Sequence, residues 1–256
     1  MFRFLRVTAA ITEAELAKMF REPSALLSRA VQPILWLAIF GQVFSRVRGI
    51  PTGEVSYLAF MTPGVLAQSV LFSAIFYGIA VIWERDLGIV HKLLVTPARR
   101  EALVLGKAIS AGLRGLVQAS IIYVVALLMH VELRWEVSAI AGVATGVVLG
   151  SATFSTFSLI IACIVKTRER FMGIGQVLTM PLFFASNAIY PLEIMPEWLK
   201  WIARFNPLTY LVDLLRGLMI VNGHSIHSAI TNCGVLLLTL VVFILIAARL
   251  YPSLVK

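Results

Sequence analysis

Apolar residues in this chain come in long runs, not in alternation. Stretches of roughly twenty mostly apolar residues recur six times, separated by polar segments rich in Lys and Arg. The hydrocarbon core of a bilayer is about 30 Å thick, so a helix needs about 20 apolar residues to cross it. The candidate spans are 29–46, 57–82, 103–129, 137–165, 171–190 and 229–249. The longest stretches outside them, 83–102 and 191–228, are too short and too broken for a soluble domain. The pattern predicts an all-α integral membrane protein in which residues 1–256 form a single transmembrane domain of six helices.

Composition agrees with this class. The chain is 59% hydrophobic and 14% charged, with a mean hydropathy of +0.91. Soluble domains have about 45–50% apolar and about 25% charged residues. The net charge of +9 does not argue for nucleic acid, because basic residues of membrane proteins gather in cytoplasmic loops and no recognition module is present. Fifteen basic residues, including Arg3, Arg6, Lys18, Arg85, Lys92, Lys107, Arg168 and Lys256, fall on one side of the six spans. Only six, among them Arg134, Lys200 and Arg216, fall on the other. The positive-inside rule then places both termini in the cytoplasm. Glu13, Glu15, Lys18 and Arg21 interrupt the N-terminal segment, so no cleavable signal peptide is expected and the first span should stay in the membrane. Cys163 and Cys233 read as small apolar filler.

Four segments carry candidate function. In residues 3–21, Phe4, Val7 and Ile11 share a face, which suits an interfacial helix or a solvated lead-in. In the loop from Glu84 to Pro97, Leu87, Val90 and Leu94 stand at i, i+3 and i+7, one face of a short helix. That helix either lies on the lipid surface or docks into a groove on a cytoplasmic partner. Thr96 and Pro97 suit the cap and first position of span three, which would run 33 residues to Met129. Such a helix is roughly 50 Å long, so its first turns project from the bilayer and Arg114 snorkels at the inner interface. Between spans five and six, Asn206-Pro207 breaks two short helical patterns, and Trp198, Trp201 and Tyr210 suit a membrane–water interface. This pair either seals the outer end or re-enters and gates release.

Other features are weighed against plainer readings. Gly142, Gly146 and Gly150 make overlapping small-residue motifs, for which close helix packing is favoured over a cavity lined by the hydroxyls of residues 151–158. Gln68, Gln118, Gln176 and Asn187 are either interhelical glue or a translocation path. The span interiors are read as holding no convincing Asp, Glu or Lys, which argues against ion-driven transport. Gly106-Lys107 does not complete a phosphate-binding loop, because Glu101 and Ala108 stand where glycine and a hydroxyl are needed. His224 and His227 are too few for a metal site, and none is expected.

The chain resembles the type-2 ABC transporter permeases over essentially its whole length. The resemblance is strongest in Glu84-Arg85-Asp86-Leu87-Gly88 with Leu105-Gly106-Lys107, and in Tyr190-Pro191 through Asn206-Pro207-Leu208-Thr209-Tyr210 to Asp213-Leu214-Leu215-Arg216. Ile89 replaces the family's usual threonine. The resemblance implies a coupling helix in which Glu84, Arg85, Asp86, Leu87, Gly88, Val90 and Leu94 meet an ATPase. It also implies an outer gate segment containing Pro191, Asn206, Pro207, Tyr210, Asp213 and Arg216. Two identical permease chains would pair with two copies of a cytoplasmic ABC ATPase in a bacterial inner membrane. ATP and Mg would be bound by the ATPase, with no cofactor and no enzymatic activity on this chain. Daunorubicin-type drug exporters and lipo-oligosaccharide exporters are the nearest kinds. The expected substrate is an amphipathic drug or lipid-like molecule, with a lipid-linked saccharide as the alternative. A membrane-embedded lipid enzyme or assembly factor is a remote third reading. It would need a cluster of His, Asp or Glu, and Glu132 and Glu136 stand without partners.

Overall fold

Helix boundaries follow the capping residues. In the computed structural model, which describes residues 2–21, 31–45, 55–96, 99–165 and 167–254, α1 covers Phe2–Arg21 and α2 covers Val31–Phe44. Helix α3 covers Tyr57–Asp86, capped by the Ser56 hydroxyl accepting from Ala59 N. Helices α4 (Ile89–Val95), α5 (Arg100–Leu128), α6 (Val137–Ile164) and α7 (Arg168–Phe184) follow. The short α8 (Glu197–Phe205) and α9 (Pro207–Met219) meet at Asn206, and α10 (Ala229–Leu250) is capped by Ser228. Among the described residues the only strand-like pairing is an isolated bridge between Leu133 and Ile220.

Four of the described helices, α3, α5, α6 and α10, are long and apolar enough to cross a membrane. The expected fifth span is shorter than predicted, and the first is described in part. Helix α2 is described over Val31–Phe44 only, and the flanks of that expected span lie outside the described residues. Inside α2 the chain is wound as a π-helix over Trp36–Gly41. Trp36 and Phe40 stack there with ring centroids 4.4 Å apart. Helix α7 stops at Phe184, short of the expected residue 190. Pro181 lies in its last turn, and Asn206 Nδ2 donates to the freed carbonyls of Leu182 (2.6 Å) and Ala185 (3.3 Å). The start of α5 also differs from expectation. Arg99 is its cap residue, whereas Thr96 ends α4 and donates its hydroxyl back to Leu93 O at 2.6 Å. Pro97 lies outside the described residues.

Helix α6 is the central strut, packed against α3, α5, α9 and α10. Its glycines make that possible. A Cβ at Gly142, Gly146 or Gly150 would collide with Leu218, Leu214 or Leu211 respectively, so the leucine ridge of α9 seats directly on the glycine stripe. Helix α9 therefore runs beside the first half of α6, inside the bundle, and does not lie on its surface. The hydroxyls that follow mostly bond back to their own helix, as Thr153 does to Leu149 O and Thr156 to Ala152 O, both within 2.8 Å. Ser158 is different: its Oγ donates to Ile75 O (2.6 Å) and accepts from Gly78 N (2.9 Å), fastening α6 to α3. Helix α10 buries one face and turns Leu237, Leu238, Val241, Val242 and Leu245 outward.

The bundle has two distinct ends. At one, α1, α4, the end of α3 and the start of α5 gather near the C-terminal turn Tyr251–Leu254, where Ser253 Oγ donates to Cys163 O at 3.0 Å. At the other lie the Leu133–Ile220 bridge, α8, and the loop before α10.

Candidate functional site

The first end of the bundle holds a buried ionic node. Lys107, on α5, is only 3% exposed. Its Nζ lies 2.7 Å from Glu84 Oε2 at the end of α3 and 3.1 Å from Glu15 Oε1 on α1. It also donates to the Tyr77 hydroxyl at 3.3 Å. Arg114, one helical stripe along from Lys107, reaches Glu15 Oε2 at 2.9 Å and stacks over the Tyr77 ring. Lys18 closes the set at 2.5 Å from Glu84 Oε1. Burial alone would raise the Glu15 carboxyl, but Lys107, Lys18 and Arg114 outweigh it and hold the pKa at about 2, against an ordinary 4.5.

This node corrects three expectations. The bundle interior does hold ionisable groups, since Lys107 and Glu84 are buried. Lys107 is not a loop charge, and Arg114 pairs with Glu15 where snorkelling was expected. The overlooked signal was spacing: Tyr77 and Glu84 are seven apart on α3, and Lys107 and Arg114 are seven apart on α5. Residues seven apart share a helix face, so two facing polar stripes of opposite sign were present in the sequence.

The expected coupling segment hangs directly from this node. Beyond Glu84, Arg85 bonds Asp86 at 2.7 Å, and Asp86 in turn accepts from Arg168 of α7 at 2.8 Å. The Arg168 guanidinium lies 3.5 Å from the Trp83 ring centroid. Gly88 then turns with φ +70°, a left-handed conformation that favours glycine. The turn breaks the expected common face of Leu87, Val90 and Leu94. Leu87 is 67% exposed, Val90 is fully buried, and Leu94 is half-buried against the same inner cluster. His91, Lys92 and Val95 form the exposed side of α4. Glu84 faces the interior, away from the surface a partner would meet.

The opposite end is fastened by a second polar set. Asp213, 1% exposed, accepts from Ile226 N (2.7 Å), His227 N (2.9 Å) and Asn232 Nδ2 (2.8 Å). It thereby pins the loop before α10 and the first turn of α10 to α9. His227 packs on Tyr210, whose hydroxyl donates to Arg204 O at 2.7 Å. Arg216 donates to Asn187 O at 2.6 Å and lies 3.8 Å from the Phe60 ring centroid. Asn206 joins α7, α8 and α9 through the bonds given above, with Pro207 as the first residue of α9. Pro191 is buried just before the turn Leu192–Ile194. The expected gate residues thus sit together as joints between short segments. Helix α8 turns Trp198, Trp201, Ile202 and Phe205 outward, as an interfacial helix should.

The four polar residues of the expected path separate. Gln68 and Gln118 are both buried, and Ser69 Oγ donates to Gln118 Oε1 at 3.1 Å. Gln68 borders a cleft of about 180 Å³ between α2 and α3, lined also by Gln32, Ser69, Phe72, Ser73 and Phe76, and its buried Oε1 has no hydrogen-bond partner. Asn187 belongs to the Arg216 joint, and Gln176 lies on the exposed side of α7.

Comparison with known proteins matches this architecture to a family. The profile of the ABC-2 type transporter family matches residues 6–220, which include the Lys107 node, the 84–97 segment and Asp213 and Arg216 of the second polar set. The putative transport permease ycf38 of Cyanophora paradoxa is 27% identical over the whole of this chain and 91% of its own length. Nodulation protein J of Rhizobium leguminosarum bv. trifolii is 27% identical over 91% of this chain and 88% of its own. The probable multidrug ABC transporter permease YbhR of Escherichia coli (strain K12) is 26% identical over 66% of this chain and 46% of its own. A family match across most of the sequence, on a bundle of helices built for a membrane, shows that this chain belongs to the ABC-2 type transporter family.

Proposed function

We propose that this permease is the membrane subunit of an ATP-driven exporter in a bacterial inner membrane. It crosses the membrane six times with both termini in the cytoplasm, and acts as a homodimer with two copies of a separate ABC ATPase that binds ATP and Mg. The shorter α2 and α7 count as spans in this reading because both carry outward apolar faces, Leu35, Ile39 and Val43 on one and Met172, Val177 and Phe184 on the other. The observation that carries the coupling role is the exposed Leu87 at the Gly88 turn. An apolar side chain projects there from an end whose neighbouring charges, Glu84 and Asp86, are already paired.

The substrate is an uncharged or weakly charged amphipathic molecule, a drug or a lipid-like compound. The α2–α3 cleft supports this, since amide, hydroxyl and phenyl groups line it and no charged side chain does. A lipid-linked saccharide is the second reading, favoured by the pairing of Phe72 and Phe76 with amide and hydroxyl groups in one cleft.

The test is co-purification of the full chain with its candidate ATPase. Wild type should retain the ATPase and Leu87→Asp should lose it while still inserting. An ATPase that never binds wild type would end the permease-subunit reading. Efflux of amphipathic drugs, compared with that of lipid-linked saccharides, from cells holding both subunits decides the substrate.

A further inference from the structure

We propose that Glu15 and Lys107 are positioning residues that clamp α1 to the coupling segment, so that the N-terminal helix moves with α4 as one body. The proposal rests on the permease reading above.

Three observations carry it. Lys107 bonds a carboxylate from α1 and a carboxylate three residues before Leu87, and Arg114 holds the second oxygen of Glu15. The joint between α1 and α5 has no slack: Thr12 Oγ1 donates to Gly106 O at 3.1 Å, and a Cβ at Gly106 would lie within 3.0 Å of Thr8 O and Ile11. The link from the same segment to α7 is of the opposite kind. Asp86 and Arg168 are about a third exposed, so water and salt screen their pair and it can release.

The energetics favour a mechanical role over a stabilising one. Desolvating several charges costs about as much as their pairing returns, and apolar replacements of similar volume are often as stable. What such a node contributes instead is a fixed geometry: separating Lys107 from its acids leaves its buried charge without a carboxylate. A motion of α4 imposed from the cytoplasm therefore carries α1 with it, while the exposed contact to α7 exchanges.

The experiment uses spin labels at Glu13→Cys and His91→Cys, both exposed positions, in a full chain whose Cys163 and Cys233 are changed to Ser. The permease alone should give one narrow distance, and ATP with Mg in the ATPase complex should not alter it. Glu15→Gln should broaden the distance, keep the ATPase bound and hydrolysing, and lower transport per ATP several-fold. Lys107→Arg should retain the coupling ratio that Lys107→Met loses. A wild-type distance that is broad, or that changes with nucleotide, overturns the clamp, as does an unaltered coupling ratio in Glu15→Gln. The distance in the permease alone is read without any ATPase, so failure to bind an ATPase counts against the permease reading and not against the clamp.

Discussion

Lys107 Nζ lies 2.7 Å from Glu84 and 3.1 Å from Glu15, so one ammonium group holds carboxylates from two helices. Removing it takes away their one fully buried partner and leaves Glu84 with the half-exposed Lys18, and Glu15 with Lys18 and Arg114. Lys107→Met should destabilise the protein by about 3–5 kcal/mol, the cost of leaving a buried ion unpaired. Lys18→Met should cost less than about 1 kcal/mol, because Lys18 is half exposed although it touches the same two acids. Thermal unfolding of the purified variants in one detergent checks this, and equal losses would refute the burial argument.

Acid should release α1 before it unfolds the bundle. The Glu15 pKa is lowered from 4.5 to about 2 in the folded protein. A depressed carboxyl contributes stability that is complete above the unfolded pKa and is lost as pH falls toward the folded one. The contribution is about 3 kcal/mol, constant from pH 7 to about pH 5 and gone near pH 2. Hydrogen-exchange protection of residues 8–18, relative to the unfolded chain at the same pH, should therefore fall between pH 5 and pH 2, and Arg114→Gln should move the onset upward. Protection that stays constant over this range would contradict the assignment.

Two glycines should fail for different reasons. Gly88 has φ +70° with nothing near its missing Cβ, so Gly88→Ala should cost only the left-handed backbone penalty of about 1–2 kcal/mol. Gly88→Asn should recover most of it. Gly64 packs against the backbone of Ala188, whose carbonyl a Cβ would strike, so Gly64→Ala must push the 185–190 segment away. Melting temperatures should fall further for Gly64→Ala than for Gly88→Ala.

Asp213→Ala should loosen the α8–α9 end of the bundle locally. It removes the acceptor of three donors and leaves the amides of Ile226 and His227 without it. A hydrogen bond to a charged group contributes about 1.5–3 kcal/mol, so the loop before α10 should open readily. Proteolysis and hydrogen exchange across residues 221–232 should increase, with residues 57–86 unchanged.

Much of this was legible in the sequence, and the remainder has definite physical reasons. The long runs of α3, α5, α6 and α10 declared themselves because length and apolarity alone define a spanning helix. The glycine stripe of α6 announced a close neighbour, but not that the neighbour would be the short α9. Leu87, Val90 and Leu94 looked like one stripe because periodicity assumes a continuous helix, and Gly88 breaks it. Lys107 looked like a loop charge because hydropathy counts a charge in isolation, whereas its burial depends on partners 92 and 23 residues away. Asp213 and Arg216 were marked by resemblance, yet their bonds run to segments no local pattern connects to them.

The outward face of α10 gives the molecule a built-in gauge of its surroundings. Its 22 residues extend roughly 33 Å, close to the thickness of an ordinary hydrocarbon core. Because α6 is braced on several sides, α10 cannot easily shorten its profile by tilting alone. Short-chain lipids must instead stretch, or the helix must expose Leu237 and its neighbours to headgroups, at a cost of fractions of a kcal/mol per ångström. The choice of lipid thus becomes a mechanical load on the bundle, applied along a helix whose last turns share a cluster with Val90 of α4.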